Sequence, residues 1–215
     1  MYHFAFLCLL AMLSVSTFAQ NATQPKIAFC SLPADSPNPQ PGCYLLATQK
    51  LNAQPAEPLY WHLYTGATPD AESTVVTAFG KTWLFRIAPA DWRPRSGQRV
   101  AMVGPLVLGP ATTYVARYMQ DIAPIVPDVH QTPVHTHPGA EAWYVVAGAQ
   151  CMQTPAGTVI LRAGQSAFVP AGIPMTLGQS GTETRQSFIL VLHEASSPWR
   201  TRTEDWKPES ACPGS

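Results

Sequence analysis

The sequence predicts a single β-rich domain, and three features support this fold class. The 215 residues include 22 prolines, and proline disrupts helix interiors because it removes a backbone donor. The longest stretch without Pro or Gly beyond residue 19 is Thr182–Ser197, which contains a strand-like apolar run. Hydrophobic residues make up 46% of the chain, which is enough for a packed core. A helical bundle is therefore not expected.

The charge composition excludes one broad class of function. The chain has 13 Lys+Arg and 13 Asp+Glu, so its formal net charge is zero. Without a basic excess there is no electrostatic basis for nucleic-acid binding. Charged residues are only 12% of the chain, about half the usual share. This scarcity favours a small, modestly polar ligand over a polyanion.

Residues 1–19 are typical of a secretory signal peptide. The apolar run from Phe4 to Val15 is too short for an ordinary membrane span. Thr17 and Ala19 fit the small-x-small cleavage rule, so the mature chain is expected to begin at Gln20. The alternative is an N-terminal membrane anchor, because the region before the run contains no Lys or Arg. We expect export to the periplasm or the exterior of a bacterial cell, with no stable membrane span after cleavage.

Four cysteines remain after cleavage, and an even number in an oxidising compartment favours disulfides. Three connectivities are open, with free or buried thiols as the alternative. Cys30 and Cys212 lie in proline-rich flanks, whereas Cys43 and Cys151 lie beside strand-like runs. If cysteines in similar sequence surroundings pair with each other, the pairs are Cys30–Cys212 and Cys43–Cys151. A zinc site made of these residues is not expected, since no Cys-x-x-Cys pair exists.

The distribution of strand-like runs and prolines suggests several segments along the chain. Thr74–Phe79 and Thr82–Ile87 flank Gly80-Lys81 and predict a hairpin. Trp199 and Trp206, in an otherwise polar tail, are candidates to pack against the body. The predicted segments are a signal peptide (1–19), a proline-rich leader (20–42), an N-terminal β extension (43–110), a β-rich body (111–196) and a polar tail (197–215).

One cluster of residues has the side chains that are needed to bind a metal. His135 and His137 are two residues apart, so on a strand both side chains leave the same face. Glu141 follows a Pro138-Gly139 turn and returns towards them if the next strand pairs antiparallel. Two imidazoles and one carboxylate form a facial triad, which suits Fe(II), Mn, Ni or Zn and leaves coordination positions open. Trp143 shares the strand parity of Glu141 and would form an apolar wall.

The motif and the residues after it resemble the cupins. The spacing His135-x-His137-x3-Glu141-x6-Gly148 is similar to the first cupin motif. Gly164-x5-Pro170-x-Gly172 is similar to the second. The resemblance covers residues 111–196 and implies an antiparallel jelly-roll barrel with a metal in its mouth. It admits oxygenation, isomerisation, decarboxylation and lactone chemistry without choosing among them.

The chain departs from the cupin pattern at two positions. Position 175, where the second motif usually supplies a fourth ligand His, is Met175, and position 129 is Val instead of Gly. Met175 would either fill apolar space beside the site or act as a thioether ligand, which would favour copper. The facial triad is complete in both cases.

Two hypotheses about function follow. The first is an exported small-molecule metalloenzyme, dioxygenase- or isomerase-like, with one divalent metal chosen from Fe, Mn, Ni, Zn and Cu. The second is a non-catalytic exported module that binds a small ligand or a metal. A general acid or base in the mouth of the barrel would distinguish the enzyme from the binding module. His193 and His130 are the candidates for this role. Edge strands make a homodimer plausible under either hypothesis.

Overall fold

The computed structural model describes residues 30, 32–33, 41–51, 57–109, 111, 113–123, 131–208 and 210–212. The predicted signal peptide, most of the predicted leader and His130 lie outside the described residues. None of the described residues is helical, and the search for a membrane-spanning helix among them finds none. The strands are β1 (Leu32–Pro33), β2 (Gly42–Leu51), β3 (Leu59–Thr65), β4 (Thr74–Ala78), β5 (Lys81–Ala88), β6 (Gln98–Leu106), β7 (Tyr114–Ala123), β8 (His135–Thr136), β9 (Glu141–Ala147), β10 (Ala149–Thr154), β11 (Gly157–Arg162), β12 (Ser166–Val169), β13 (Thr176–Gln179), β14 (Arg185–Glu194) and β15 (Thr201–Arg202).

Four sheets organise these strands. The largest has six strands in the order β1-β2-β7-β14-β9-β12, and all its pairs are antiparallel except β1 with β2. A three-stranded sheet has the order β11-β10-β13, and β15 pairs with β8. The remaining sheet has the order β4-β5-β3-β6. The all-β prediction is confirmed, and the arrangement is consistent with a jelly roll.

The six-stranded sheet is covered on both faces, because successive residues of a strand point in opposite directions. Phe188 and Leu190 of β14 belong to an outer core shared with the four-stranded sheet, where the ring of Phe188 lies 4.8 Å from that of Trp83. Ile189 and Val191 belong to an inner core shared with the three-stranded sheet. The four-stranded sheet therefore packs outside the barrel, whereas β2 joins the barrel's own sheet. The boundaries of the predicted segments stay a prediction.

The predicted hairpin forms, with its turn one residue earlier than expected. Strands β4 and β5 pair with Ala78 opposite Lys81, which leaves Phe79 and Gly80 as a two-residue loop. Both loop residues have positive φ, 52° and 70°, as a type I′ turn requires. The ring of Phe79 lies 5.0 Å from that of Phe188, so packing against the outer core holds this unusual backbone conformation.

The structure contains two disulfides, and they do not have the expected partners. Cys30 is bonded to Cys43 and Cys151 to Cys212, so the pairing inferred from similar surroundings is wrong. Strand β1 runs beside β2 with Leu32 opposite Tyr44, which brings Cys30 next to Cys43. The end of the tail lies along β10, which brings Cys212 to Cys151. Similar local composition does not indicate which cysteines lie close together in the folded chain.

Candidate metal centre

His135, His137 and Glu141 converge in the inner part of the barrel. His135 lies on β8, His137 directly follows it, and Glu141 begins β9. One potential ligand atom from each lies within 4.8 Å of the others, and all three residues are buried. Nε2 of His137 lies 3.2 Å from Oε2 of Glu141. The structure thus brings together the residues in which the sequence analysis placed a metal site.

The turn between the histidines and the glutamate is held against the neighbouring strand. The backbone nitrogen of Leu192 on β14 donates a hydrogen bond of 2.9 Å to the carbonyl of Ala140. A Cβ atom on Gly139 would lie 1.6 Å from the carbonyl oxygen of Leu192. Only glycine permits this close approach, which sets the position at which Glu141 enters the barrel.

We expect Gly139→Ala to lower the free energy of unfolding by about 3 kcal/mol, because a methyl group is forced into the backbone of β14. The matched control is Gly109→Ala, whose Cβ would lie 3.2 Å from a carboxylate oxygen of Glu194 and 3.9 Å from the hydroxyl of Tyr114. A flexible side chain can move aside, so the control should cost less than about 0.5 kcal/mol. Chemical denaturation measures both values. Equal losses in the two variants would contradict this account of the turn.

Backbone carbonyls orient both imidazole rings. Nδ1 of His135 lies 2.8 Å from the carbonyl oxygen of Pro133, and Nδ1 of His137 lies 2.6 Å from that of Trp199. A carbonyl only accepts hydrogen bonds, so each Nδ1 carries a proton, and the neutral form of each ring presents the lone pair of Nε2. Carbonyls that orient ligating histidines in this way are typical of metal sites.

The two histidines differ in their tendency to take up a proton. Burial lowers the pKa of His135 to about 4, although the Glu141 carboxylate opposes this effect. Burial also opposes protonation of His137, but attraction to the Glu141 carboxylate and the contact with the Trp199 carbonyl raise its pKa overall. His135 is therefore neutral at physiological pH, which is the form that binds a metal.

The donor atoms fit a cation. Nε2 of His137 and Oε2 of Glu141 are buried 3.2 Å apart, and neither atom has another hydrogen-bond partner among the described residues. When Nε2 of His137 is unprotonated, the two atoms are both acceptors and cannot hydrogen-bond to each other, so a cation between them would compensate both. A divalent metal between the two imidazoles and the carboxylate would satisfy both atoms. Nitrogen and oxygen donors of this kind suit Fe(II), Mn, Ni, Zn or Cu.

A small cavity lies beside these donor atoms. Its volume is about 20 Å³, slightly more than the 10–15 Å³ or so that one water molecule requires. Trp143, which the sequence analysis proposed as an apolar wall, is one of the residues that line it. The lining residues are Cys30, Cys43, Met119, Asp121, Thr132, His135, His137, Glu141, Trp143, Leu177, Ile189, Trp199 and Arg200.

The C-terminal tail contributes residues to the centre that the sequence analysis did not assign to it. Strand β15 pairs with β8, with Thr201 opposite Thr136. The ring of Trp199 stacks on that of His137, with centroids 5.7 Å apart and planes inclined by 29°. Arg117 places its guanidinium carbon 5.1 Å from the centroid of the Trp199 ring. The sequence contained one indication, the two tryptophans in an otherwise polar tail. It predicted that the tail packs against the body, but it did not predict a role for Trp199 at the metal centre.

A buried ion pair also borders the cavity and was missed. The carboxylate of Asp121 on β7 contacts the guanidinium of Arg185 on β14, which also donates to the carbonyl of Gly178 at 3.1 Å. Burial raises the pKa of the Asp121 carboxyl, and the charge of Arg185 opposes that change. No local pattern could indicate the pair, since only the pairing of β7 with β14 brings the two residues together.

Met175 and His193 lie outside the lining of the cavity. Met175 is completely buried in the inner core and forms an isolated β-bridge with His135 through two backbone hydrogen bonds. His193 is buried at the end of β14, where its Nδ1 lies 2.8 Å from the carbonyl oxygen of Glu194. The other candidate acid or base, His130, lies outside the described residues.

We expect Met175→Leu to leave metal content intact and to cost less than about 1.5 kcal/mol of stability, because both residues are apolar and similar in volume. Denaturation and elemental analysis of the same preparation measure the two quantities. Loss of the metal in this variant, with the fold retained, would instead identify the thioether as a ligand.

The segment that contains the triad is similar to a known protein family. Residues 125–191 match the family model described as Cupin domain. No curated protein matches the chain. A cupin-2 domain containing protein from Shewanella frigidimarina is 16% identical, with a TM-score of 0.30, over 35% of this chain and 68% of that one.

Two further solved structures are similar at the same level. A cupin-like protein from Thermotoga maritima is 16% identical, with a TM-score of 0.33, over 41% of this chain and 64% of that one. Oxalate decarboxylase from Bacillus subtilis is 16% identical, with a TM-score of 0.32, over 43% of this chain and 24% of that one. The family match identifies residues 125–191 as a cupin domain.

Proposed function

We propose that the protein is exported and binds one divalent metal through His135, His137 and Glu141, as the centre of a small-molecule metalloenzyme. One observation supports this most strongly. Three buried donor atoms lie within 4.8 Å of one another, and both histidines are oriented through Nδ1 by backbone carbonyls. The arrangement has the ligands of a facial triad and the hydrogen bonds that typically support one.

The residues around the triad have separate roles in this proposal. A bound metal would supply Lewis acidity, or oxygen activation if it is iron, at its open positions. Trp143 and Ile189 limit the water that reaches these positions, because both present apolar surface to the cavity. Trp199 positions His137 through its carbonyl and its ring.

Export is supported by two independent features. The predicted signal peptide at residues 1–19 would direct the chain out of the cytoplasm. The two disulfides suit an oxidising periplasm or exterior. Homodimerisation through edge strands stays a prediction, which light scattering on the mature chain would test.

A non-catalytic metal-binding module is the second candidate, and two observations favour it. The cavity has room for little more than one water molecule. His193, a candidate acid or base, does not line it. In this alternative the metal would be held without turnover.

Water exchange at the metal tests whether the centre is open. The protein is stripped of metal, loaded with Mn²⁺ and freed of excess ion, and the relaxation rate of bulk water protons is measured. A metalloenzyme with open positions should relax water strongly, because coordinated water exchanges with solvent. Bound Mn²⁺ without this relaxation would favour the closed binding module, and failure of all the candidate metals to bind would contradict both functions.

A further inference from the structure

We propose that part of the C-terminal tail is a lid over the metal centre, and that a metal ion or a ligand larger than water reaches the triad only when this lid moves away. The lid is residues 198–203, which follow the turn after β14 and include β15. The inference rests on the proposed function, since it requires a metal at the triad. It assigns the route of access to residues beyond the matched cupin segment, residues 125–191.

Two residues of the lid close the cavity beside the triad. Trp199 and Arg200 both line this cavity. The ring of Trp199 stacks on the ring of His137, and the carbonyl of Trp199 accepts a hydrogen bond from Nδ1 of the same histidine. The cavity, of about 20 Å³, has room for little more than one water molecule. A larger species can therefore reach the donor atoms only after part of the lining has moved.

The lid is the part of the lining that moves at the lowest cost. Met119, Trp143 and Ile189 line the opposite parts of the cavity from β7, β9 and β14, and each of these strands is paired on both sides. In contrast, β15 has only two residues, both exposed, and it pairs with β8 alone. Segments with few buried contacts and exposed backbone hydrogen bonds open with the smallest free energies.

The tail is loosely packed beside the end of the lid. A second cavity, of about 290 Å³, lies between the tail from Arg202 to Lys207 and the pair Pro133 and Val134. The backbone nitrogen of Thr203 donates to the carbonyl of Val134 at 3.2 Å across this boundary. Protein interiors are normally close-packed, so a gap of this size means that few contacts are lost when the lid moves.

The chain is anchored on both sides of the lid, so the lid can open without leaving the barrel. Before the lid, the backbone nitrogen of Ala195 donates to the carbonyl of Thr113 at 3.0 Å. After the lid, the disulfide between Cys151 and Cys212 holds the end of the tail. Loss of this disulfide frees the far anchor, which should increase the fraction of molecules in which the lid is open.

The kinetics of Co²⁺ binding test the lid. Metal-free protein is mixed rapidly with Co²⁺, and the rise in visible absorption gives the on-rate. Loaded protein is mixed with EDTA, at concentrations that no longer affect the rate, to give the off-rate. The variants are Cys151→Ala with Cys212→Ala, which frees the far anchor, and Trp199→Leu, which removes the covering ring but keeps the backbone carbonyl that orients His137. The control is Phe188→Leu, which weakens the outer core, on the face of β14 away from the cavity.

We expect the on-rate to rise about tenfold or more in both lid variants, because it follows the fraction of molecules whose lid is open. The off-rate should rise at least as much, since Trp199 also supports His137. The control should keep both rates of the wild type. If the off-rate rose while the on-rate stayed unchanged, the tail would only support His137. That result would overturn the inference and leave the proposed function standing.

The remaining outcomes are also decisive. An on-rate that rises as much in Phe188→Leu as in the lid variants would show a general loosening of the barrel and would overturn the inference. If the double cysteine variant did not fold, Trp199→Leu, in which the disulfide is intact, would decide by the same comparison of on-rate and off-rate. If none of the proteins bound Co²⁺, the proposed metal centre itself would fail.

Discussion

Replacing both Cys151 and Cys212 by alanine should lower the free energy of unfolding by about 4 kcal/mol. The two residues are 61 positions apart, and a cross-link over a long loop restricts the unfolded chain more than one over a short loop. The same disulfide tethers the end of the tail to β10, where Gln153 also donates to the carbonyl of Ser210 at 3.1 Å. Since Trp199 of this tail orients His137, the variant should also bind metal more weakly.

The second disulfide is the matched control for this prediction. Cys30 and Cys43 are only 13 positions apart, so their replacement should cost about 3 kcal/mol by the same entropy argument. Denaturant unfolding of the two double variants, with and without metal, gives both stabilities and their dependence on the metal. If the short-loop variant were the less stable of the two, the tethering role of Cys151–Cys212 would be wrong.

The triad could be anticipated from the sequence because it is local. His135, His137 and Glu141 occupy seven consecutive positions, and strand parity with one turn is enough to bring them together. The hairpin at Phe79 and Gly80 could be anticipated for the same reason, although its turn moved by one residue. That shift follows from the ring of Phe79, whose packing on Phe188 favours the left-handed backbone at position 79.

Features that depend on distant pairing could not be anticipated. Trp199 lies 62 positions from His137, and only the pairing of β15 with β8 brings it to the centre. The pair of Asp121 with Arg185 likewise requires β7 beside β14. The disulfide partners were assigned from the composition of their surroundings, which does not determine which strands are neighbours.

Removing two of the three proposed ligands should abolish metal binding while the fold remains. His135→Ala with Glu141→Ala leaves a single imidazole, and one donor does not hold a divalent ion against solvent. We expect the Kd for metal to rise about 100-fold or more, since changes to the supporting groups alone typically cost 10–100-fold. Stability of the metal-free protein should not fall greatly, because the double variant removes a buried carboxylate, and burying a charge is costly.

His193→Ala is the control for this double variant. His193 is a buried histidine on the same barrel, but it does not line the cavity. Its replacement should therefore leave metal affinity unchanged. A loss of metal in the control comparable to that in the double variant would identify His193 as a ligand.

The metal content of the mature protein after reconstitution and removal of excess ion tests the central claim most directly. Elemental analysis is carried out on the wild type, the double variant and the control in parallel. Our account predicts no more than one divalent metal per chain in the wild type and in His193→Ala, and none in His135→Ala with Glu141→Ala. A metal content that the double variant leaves unchanged would contradict the assignment of the centre to His135, His137 and Glu141.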